Sequence, residues 1–284
     1  MTPAAFDYYA PSSLKEALGL LSSYKEDGKL LAGGQSLVPL MKLRLARPKV
    51  LIDLGRIPDL NTIAERADSI VIGALTTHAQ LESSDLLRTR CPLLPQTATT
   101  IGDVQVRNQG TLGGSLAHSD PAGDLPASII ALGAQIKAVS AKGERWIKAE
   151  DFFLGLLTTA LEPDEILTQV KIPVSNRIKT AYLKAAQKAA GFAVAGVAVC
   201  LDLAHDGTCR DIALGVTGVT DKAYRAHKVE QKLRGKKLDS RLLHEAAAEV
   251  TDSIDVNEDI NGSKEYRSHL ARVYTIRAIL VAQG

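Results

Sequence analysis

Cysteine is scarce in this sequence. The 284 residues include three, Cys91, Cys200 and Cys209, and they lie far apart in the chain. No Cys-x-x-Cys pair occurs, so an iron–sulfur cluster or a structural zinc ion held by this chain alone is disfavoured. The odd number and the wide spacing argue against a disulfide framework and favour a reducing compartment.

Long apolar runs and a strong excess of one charge are also missing. The 34 Lys and Arg residues oppose 32 Asp and Glu residues, which leaves a net charge of +2. Nucleic-acid binding needs a concentrated cationic face, and the densest basic stretch, residues 232–237, is better interpreted as a solvated loop. The first residues lack the basic segment and apolar core of a signal peptide. No apolar stretch is long enough to span a bilayer, so we predict a cytoplasmic protein.

The length and the hydrophobic pattern predict more than one folding unit. We expect an α+β fold with a compact unit over residues 1–56, a second unit over residues 57–176 and a C-terminal unit over residues 177–284. The boundary before the C-terminal unit is placed around Asn176. The strands are predicted at residues 29–32, 50–54, 69–73, 134–139, 145–147, 165–172, 179–185, 192–203 and 209–217. The helices are predicted from residue 14, from residue 76 or 77, and at residues 37–45, 91–101, 125–132, 221–233, 239–251 and 264–282.

Residues 102–126 have a different composition from the rest of the chain. They contain five glycines, two prolines, three aspartates and one histidine. We predict a long loop here, and loops of this length inside compact domains usually carry function.

Two short segments each place paired glycines beside hydroxyl side chains. The first glycine loop, residues 32–36 (AGGQS), lies between a predicted strand and a predicted helix, where free backbone N–H groups can face an anion. Taken alone, it is equally well explained as a tight turn. The second glycine loop, residues 111–115 (TLGGS), repeats the pattern, and two such loops suit the two phosphates of a diphosphate. Neither segment is G-x-G-x-x-G or a P-loop, which disfavours a Rossmann site and a nucleotide-triphosphate site.

Three longer segments resemble one known family. They are residues 32–39 (AGGQSLVP), 106–118 (VRNQGTLGGSLAH) and 120–126 (DPAGDLP), and residues 259–267 (DINGSKEYR) before the last predicted helix also fit. Over nearly the whole chain, the sequence resembles the FAD-binding medium subunit of molybdenum hydroxylases, such as carbon-monoxide dehydrogenase and xanthine dehydrogenase. The resemblance implies a two-subdomain FAD-binding domain of the vanillyl-alcohol-oxidase/PCMH type, residues 1–176, followed by a C-terminal domain of a three-stranded antiparallel sheet with helices.

The resemblance also implies which residues contact FAD. The diphosphate is expected between the first loop with its preceding strand and the second loop, and five further positions are expected near the cofactor. The implied residues are Lys29, Leu30, Leu31, Ala32, Gly33, Gly34, Gln35, Ser36, Ile101, Thr111, Leu112, Gly113, Gly114, Ser115, Asp124, Leu167, Lys184 and Phe192. For three of them a simpler interpretation stays open: a loop-ordering cap for Asp124, a solvated strand lysine for Lys184 and a core phenylalanine for Phe192.

Some positions depart from common choices in the family. Gln35 stands for a frequent histidine and Ser115 for a frequent asparagine, and both retain hydrogen bonding. Gln187 stands for a frequent basic residue and Gly191 for a frequent aspartate, which changes the charge near the flavin's open side. The electron acceptor therefore stays open between nicotinamide, oxygen and quinone.

Three other residues invite an acid–base interpretation that we do not adopt. His118 and Asp120 are assigned by the resemblance to loop structure around the cofactor, and flavin electron transfer needs no such pair. His78 is interpreted as a helix-start residue only.

The resemblance implies a divided assembly. Substrate is hydroxylated at molybdenum on a large partner subunit, and electrons cross [2Fe–2S] clusters on a small partner subunit. They reach FAD on this chain and pass to an external acceptor. The expected form is a heterotrimer, single or doubled, with an apolar patch on this chain for the cluster subunit. The alternatives are a self-sufficient FAD-dependent oxidoreductase and a non-catalytic assembly or nucleotide-binding protein, and the substrate stays open.

Overall fold

The computed structural model describes residues 2–175 and 177–284. Asn176, where the sequence placed the boundary before the C-terminal unit, lies outside the described residues, so the division at that residue stays a prediction.

The N-terminal unit is a small parallel sheet with helices. Its elements are β1 (Asp7–Tyr9), α1 (Leu14–Tyr24), β2 (Gly28–Leu31), α2 (Leu37–Lys42) and β3 (Val50–Asp53), with strand order β1-β3-β2. Helix α1 begins at Ser13, whose hydroxyl accepts from the Glu16 N–H. The capping box that Ser13 and Glu16 could form is half present, because the Glu16 carboxylate accepts from the Ser12 N–H and not from the Ser13 N–H. The apolar face of α1 packs on the sheet, and the chain leaves β2 directly into the first glycine loop.

A five-stranded antiparallel sheet forms the second unit. Its strand order is β4-β5-β10-β6-β7, and helices cover one of its faces. The strands are β4 (Ile63–Arg66), β5 (Ser69–Gly73), β6 (Gln135–Ser140), β7 (Gly143–Lys148) and β10 (Ile166–Pro173), and a hairpin of β8 (Phe153–Gly155) and β9 (Thr158–Thr159) lies beside them. The helices are α3 (His78–Ser83), α4 (Asp85–Arg90), α5 (Leu93–Ala98), α6 (Val104–Gln109), α7 (Leu112–His118), α8 (Asp124–Ala131) and α9 (Ala149–Phe152).

The prediction of a long loop over residues 102–126 is wrong. Most of this segment is helical, in α6, α7 and the start of α8. Asp103 and Thr111 cap α6 and α7 with their side chains. Helices of six and seven residues are too short to show a clear apolar period, and their glycines resemble loop signals. Local caps and tertiary contacts form these helices.

The C-terminal unit is an antiparallel sheet covered by helices. Three long strands appear as predicted, and a fourth of two residues joins their edge where helix was predicted from residue 221. The elements are β11 (Ile178–Ala186), β12 (Ala193–Leu203), β13 (Cys209–Thr217), β14 (Tyr224–Arg225), α10 (His227–Leu233), α11 (Ser240–Ala247) and α12 (Lys264–Gln283). Within residues 2–175 and 177–284, no helix is long and apolar enough to cross a membrane.

The C-terminal sheet packs tightly against the helical layer of the second unit. A Cβ atom at Gly215 on β13 would lie 1.9 Å from the carbonyl oxygen of Ala127 on α8. Because α8 touches the backbone of β13 directly, the segment that leads into α8 also lies against this sheet. The packing brings residues 120–124 into contact with the C-terminal unit.

Candidate cofactor site

The two glycine loops lie side by side, although they are far apart in the sequence. A Cβ atom at Gly33 would lie 1.9 Å from the Gln109 carbonyl oxygen, and one at Gly114 would lie 3.6 Å from the Cβ atom of Ala32. Contact this close between two backbones requires glycine. The chain therefore brings the end of β2 and the start of α7 together, as the sequence predicted.

The first glycine loop presents unpaired backbone donors. Among residues 2–175 and 177–284, no acceptor pairs with the amide N–H groups of Gly33, Gly34, Gln35 or Ser36. Gly34 has φ +71°, a left-handed conformation that turns the chain sharply between β2 and α2. Unpaired, neighbouring amides form a concave site for an anion. This part of the structure fits a diphosphate.

The second glycine loop differs from the first, and the expectation that it repeats the same chemistry is wrong for its amides. The Leu112 and Gly113 N–H groups donate to the carbonyls of Thr76 (2.9 Å) and Ala74 (2.8 Å). The Gly114 N–H donates to the Thr111 hydroxyl, 3.1 Å away, and the Ser115 N–H to the Thr111 carbonyl. What this loop can still offer is the Ser115 hydroxyl, which has no partner within the described part of the chain.

His78 packs against Gly110, the residue just before the second loop, and the sequence did not indicate this contact. It is the first residue of α3, after the Thr77 cap, and its N–H donates to the Gly110 carbonyl at 2.9 Å. A Cβ atom at Gly110 would lie 2.8 Å from the imidazole. Burial, helped by nearby Arg107, lowers the pKa of His78 to about 4, so the ring is neutral at pH 7. The interpretation of His78 as a helix-start residue was incomplete.

Asp124 forms a buried cluster with two side chains of β11. Its carboxylate accepts from the Tyr182 hydroxyl at 2.5 Å and from the Lys184 ammonium at 2.8 Å. The Lys184 side chain is only 6% exposed, so its interpretation as a solvated strand lysine is wrong. Lys184 also donates to the Gly191 carbonyl at 2.6 Å. Tyr182 was missed, although Tyr182 and Lys184 are two residues apart and so share one face of the strand.

Burial dominates the electrostatics of this cluster. It raises the pKa of Asp124 above its ordinary value, while the Lys184 ammonium and the hydrogen bonds oppose that shift. Burial and the Asp124 carboxylate hold the pKa of Tyr182 well above its ordinary value. Tyr182 therefore stays a hydroxyl donor across the physiological range.

The remaining predicted residues lie at different depths. Lys29 is exposed on β2, Leu30 and Leu31 are half-buried, and Ile101 is half-buried against the core of the second unit. Leu167 is 5% exposed and lies inside that core. Phe192 is 45% exposed, which excludes its interpretation as a core residue.

Residues 187–192 form the turn between β11 and β12 and bring Phe192 toward the site. The Gln187 N–H donates to the Phe192 carbonyl at 2.8 Å. A Cβ atom at Gly191 would lie 3.8 Å from Gly102, the residue after Ile101. Three predicted positions, Ile101, Lys184 and Phe192, are thus gathered around this turn.

His118 and Asp120 are placed as loop-forming residues. The Asp120 carboxylate accepts from the Ala122 N–H at 2.9 Å, and His118 is the last residue of α7. No contact between the two side chains occurs in the described ranges. This geometry supports the structural role that the sequence assigned to them.

Comparison with known proteins gives matches to related families over nearly the whole chain. Residues 4–175 match the family model "FAD binding domain in molybdopterin dehydrogenase", and residues 180–282 match "CO dehydrogenase flavoprotein C-terminal domain". The chain is 40% identical over 278 residues to the glyceraldehyde dehydrogenase medium chain of Sulfolobus acidocaldarius, and the match covers 98% of each chain.

Two solved structures show how closely the fold is shared. Carbon monoxide dehydrogenase from Hydrogenophaga pseudoflava superposes with a TM-score of 0.97 at 40% identity, over 99% of this chain and 98% of that one. Quinoline 2-oxidoreductase from Pseudomonas putida 86 superposes with a TM-score of 0.94 at 34% identity, over 100% and 98%. The predicted fold class is confirmed.

The fold and the paired loops define an FAD-binding flavoprotein. The chain belongs to the family of FAD-binding medium subunits of molybdenum hydroxylases, as the sequence motifs predicted. It is the electron-transferring flavoprotein subunit of an oxidoreductase, and its cofactor is FAD.

Proposed function

We propose that FAD lies across the two glycine loops, with its diphosphate on the first. The observation that carries this proposal is the row of unpaired amides at Gly33, Gly34, Gln35 and Ser36. The Ser115 hydroxyl would add a donor from the second loop. The other predicted residues, from Lys29 to Phe192, stay part of this proposal, and Leu167 acts from the core behind the site.

The residues around Asp124 set the charge of the site. FAD, when bound, supplies the chemistry of accepting and releasing electrons. The buried Lys184 ammonium would favour negative charge added to the cofactor, and Asp124 holds that ammonium in place at 2.8 Å. Asp124 is also the proposed acceptor for FAD hydroxyl groups, with Tyr182 occupying one of its oxygens.

The proposed partners are a large molybdenum-cofactor subunit and a small [2Fe–2S] subunit in a heterotrimer. Relatives in this family are named as medium chains, which accords with a divided enzyme. In the part of the chain that the structure describes, no group of three or more His, Cys, Asp or Glu residues could hold a metal ion. Leu154, Leu156 and Leu157 on the β8–β9 hairpin are exposed, a kind of surface that assemblies commonly bury.

Substrate and acceptor follow less directly from this chain. Relatives are named for molecules as different as glyceraldehyde and carbon monoxide. Each of these two relatives is 40% identical to this chain. Nicotinamide, oxygen and quinone remain the candidate acceptors, and they can be distinguished by the rate at which each reoxidises the reduced holoenzyme. The three buried free thiols accord with a reducing compartment and support the proposed cytoplasmic location.

The first test uses the purified full chain. We expect a yellow protein that releases FAD when denatured and takes FAD up again when refolded. Asp124→Asn should weaken FAD binding about tenfold, since it removes a charged hydrogen-bonding group. Asp85→Asn, at a side chain 97% exposed, is the matched control and should bind FAD as the wild type does. A folded wild-type chain that takes up no FAD, alone or co-expressed with its partners, would refute the proposed site.

A further inference from the structure

The C-terminal sheet holds the turn that leads into Asp124. The Gly218 N–H donates to the Pro121 carbonyl at 2.7 Å. The Thr217 hydroxyl lies 2.8 Å from that carbonyl oxygen and 2.7 Å from the carbonyl oxygen of Gly123. Residues 121–123 are therefore held by the end of β13, which belongs to a different folding unit, as well as by the local hydrogen bonds to Asp120.

This attachment matters because α8 has no side-chain cap of its own. Asp124 is the first residue of α8, and the capping position is Gly123, which has no side chain to cap with. The backbone just before Asp124 is consequently held by Thr217 and Gly218 rather than by local capping. The position of the Asp124 carboxylate depends on these two residues.

Arg267 holds the end of β13 from the other side. Its side chain is 4% exposed, and its guanidinium donates to the carbonyls of Val194 (2.9 Å) and Gly218 (2.5 Å). Asp259 pairs with the same guanidinium at 2.5 Å. Gly218 has φ +81°, a conformation that glycine adopts without strain, and the Arg267 contact to its carbonyl helps to fix the residue whose N–H donates to Pro121.

A continuous chain of contacts thus links the last helix to the proposed cofactor site. It runs from Asp259 and Arg267 through Gly218 and Thr217 to the turn before Asp124. Its geometry explains what the motif at residues 259–267 does, although that segment lies outside both glycine loops. The motif is thereby connected to a turn that is distant in the sequence.

We propose that Arg267 and Thr217 are positioning residues for FAD, acting through the turn at residues 121–123 and through Asp124. This inference rests on the proposed function, because it needs FAD at Asp124. It assigns the C-terminal domain a part in forming the flavin site, in addition to its packing against the second unit.

The test measures FAD affinity in the full chain by quenching of flavin fluorescence. Thr217→Val keeps the side-chain volume and removes the hydroxyl, and we expect about tenfold weaker binding with an altered visible circular dichroism of the bound flavin. Thr217→Ser restores the hydroxyl and should bind within about twofold of wild type. A purely structural role would lower the melting temperature without changing the flavin spectrum.

A double-mutant cycle tests the route of the effect. If Thr217 acts through Asp124, Thr217→Val combined with Asp124→Asn should bind FAD no more weakly than Asp124→Asn alone. Arg267→Met should weaken binding as well, while Arg272→Met, at an exposed arginine of the same helix, should not. Where Arg267→Met fails to fold, the Thr217 variants and the cycle decide.

The outcomes separate the two proposals. A wild-type chain that takes up no FAD overturns the proposed site and this inference together. A wild-type chain that binds FAD, with Thr217→Val equal to it in affinity and spectrum, overturns this inference alone. Full additivity of Thr217→Val and Asp124→Asn also overturns it, because the two residues would then act independently.

Discussion

The two glycine loops have nearly the same sequence pattern, but they differ in the hydrogen bonding of their backbone N–H groups. In the first loop the amides of residues 33–36 have no acceptor among residues 2–175 and 177–284, whereas in the second loop the amides of residues 112–115 are all paired within the protein. The glycines of the first loop leave donors for a ligand. Gly113 of the second loop, and Gly110 just before that loop, allow close packing on residues 74–78. Paired glycines therefore indicate close approach, and the approaching group can be a ligand or the protein itself.

The largest effect is expected where the two loops touch. Gly33→Ala places a Cβ atom 1.9 Å from the Gln109 carbonyl oxygen, and backbone on both sides leaves no easy relief. We expect FAD affinity to fall about 100-fold, because overpacking strain of about 3 kcal/mol would force the two loops apart. Gly19→Ala, where nothing lies within 4 Å of the new atom, is the control. Unchanged FAD affinity in Gly33→Ala would contradict the shared site.

A smaller and different effect is expected in the second loop. In Gly113→Ala the new Cβ atom would lie 2.6 Å from the Ala74 Cβ atom and 2.8 Å from its carbonyl oxygen. We expect the free energy of unfolding of the FAD-free chain to fall by about 2 kcal/mol, measured by urea denaturation. Any loss of FAD affinity in the folded fraction should be much smaller than in Gly33→Ala, because the Gly113 N–H is already paired with the Ala74 carbonyl. Lost affinity at unchanged stability would show that this loop donates to the ligand after all.

Acid should weaken the support of the second loop. The pKa of His78 is about 4 in the folded chain, below its ordinary value, so the unfolded chain binds the proton first as pH falls. Stability contributed by the neutral ring is present above about pH 6.5 and is lost as pH falls toward 4, by about 1 kcal/mol between pH 7 and 5.5. His78→Gln should remove this part of the slope in denaturation curves. Equal slopes in both proteins would show that His78 titrates normally.

The smallest effects are expected from the two loop hydroxyls. Ser36→Ala and Ser115→Ala each remove one donor that has no partner within residues 2–175 and 177–284. Each should weaken FAD binding about fivefold, the usual effect of one hydrogen bond, with little change in melting temperature. If Ser115→Ala alone has no effect, the second loop serves only as packing for the first.

The helices and strands that depend on local residue patterns were predicted, and those that depend on contacts between distant residues were not. Strands β5, β12 and β13 and helix α12 were predicted nearly to the residue, because local residue patterns carry their signal. Helices α6 and α7 were missed, since each depends on one capping residue and on tertiary contacts. Strands β1 and β4 were also missed, because they are short and lie at sheet edges.

The residues of the candidate site also divide into those that a local sequence pattern indicates and those that only tertiary contacts reveal. The sequence indicated both glycine loops, Asp124 and Lys184 through a resemblance carried by contiguous motifs. It did not indicate Tyr182 or Thr217, nor the contacts made by His78 and Arg267, because each of the four acts on a segment at least 30 residues away. No local pattern records such contacts, and only the folded chain brings them together.

By itself the sequence determined the family, the cofactor, the α+β class and the positions of the two glycine loops. These depend on local residue patterns that survive in any context. The tertiary structure alone decided which loop keeps its amides free and which residues support Asp124. A backbone donor is free or paired according to what packs against it, and that packing joins residues 74–78 to the second loop and β13 to the turn at residues 121–123.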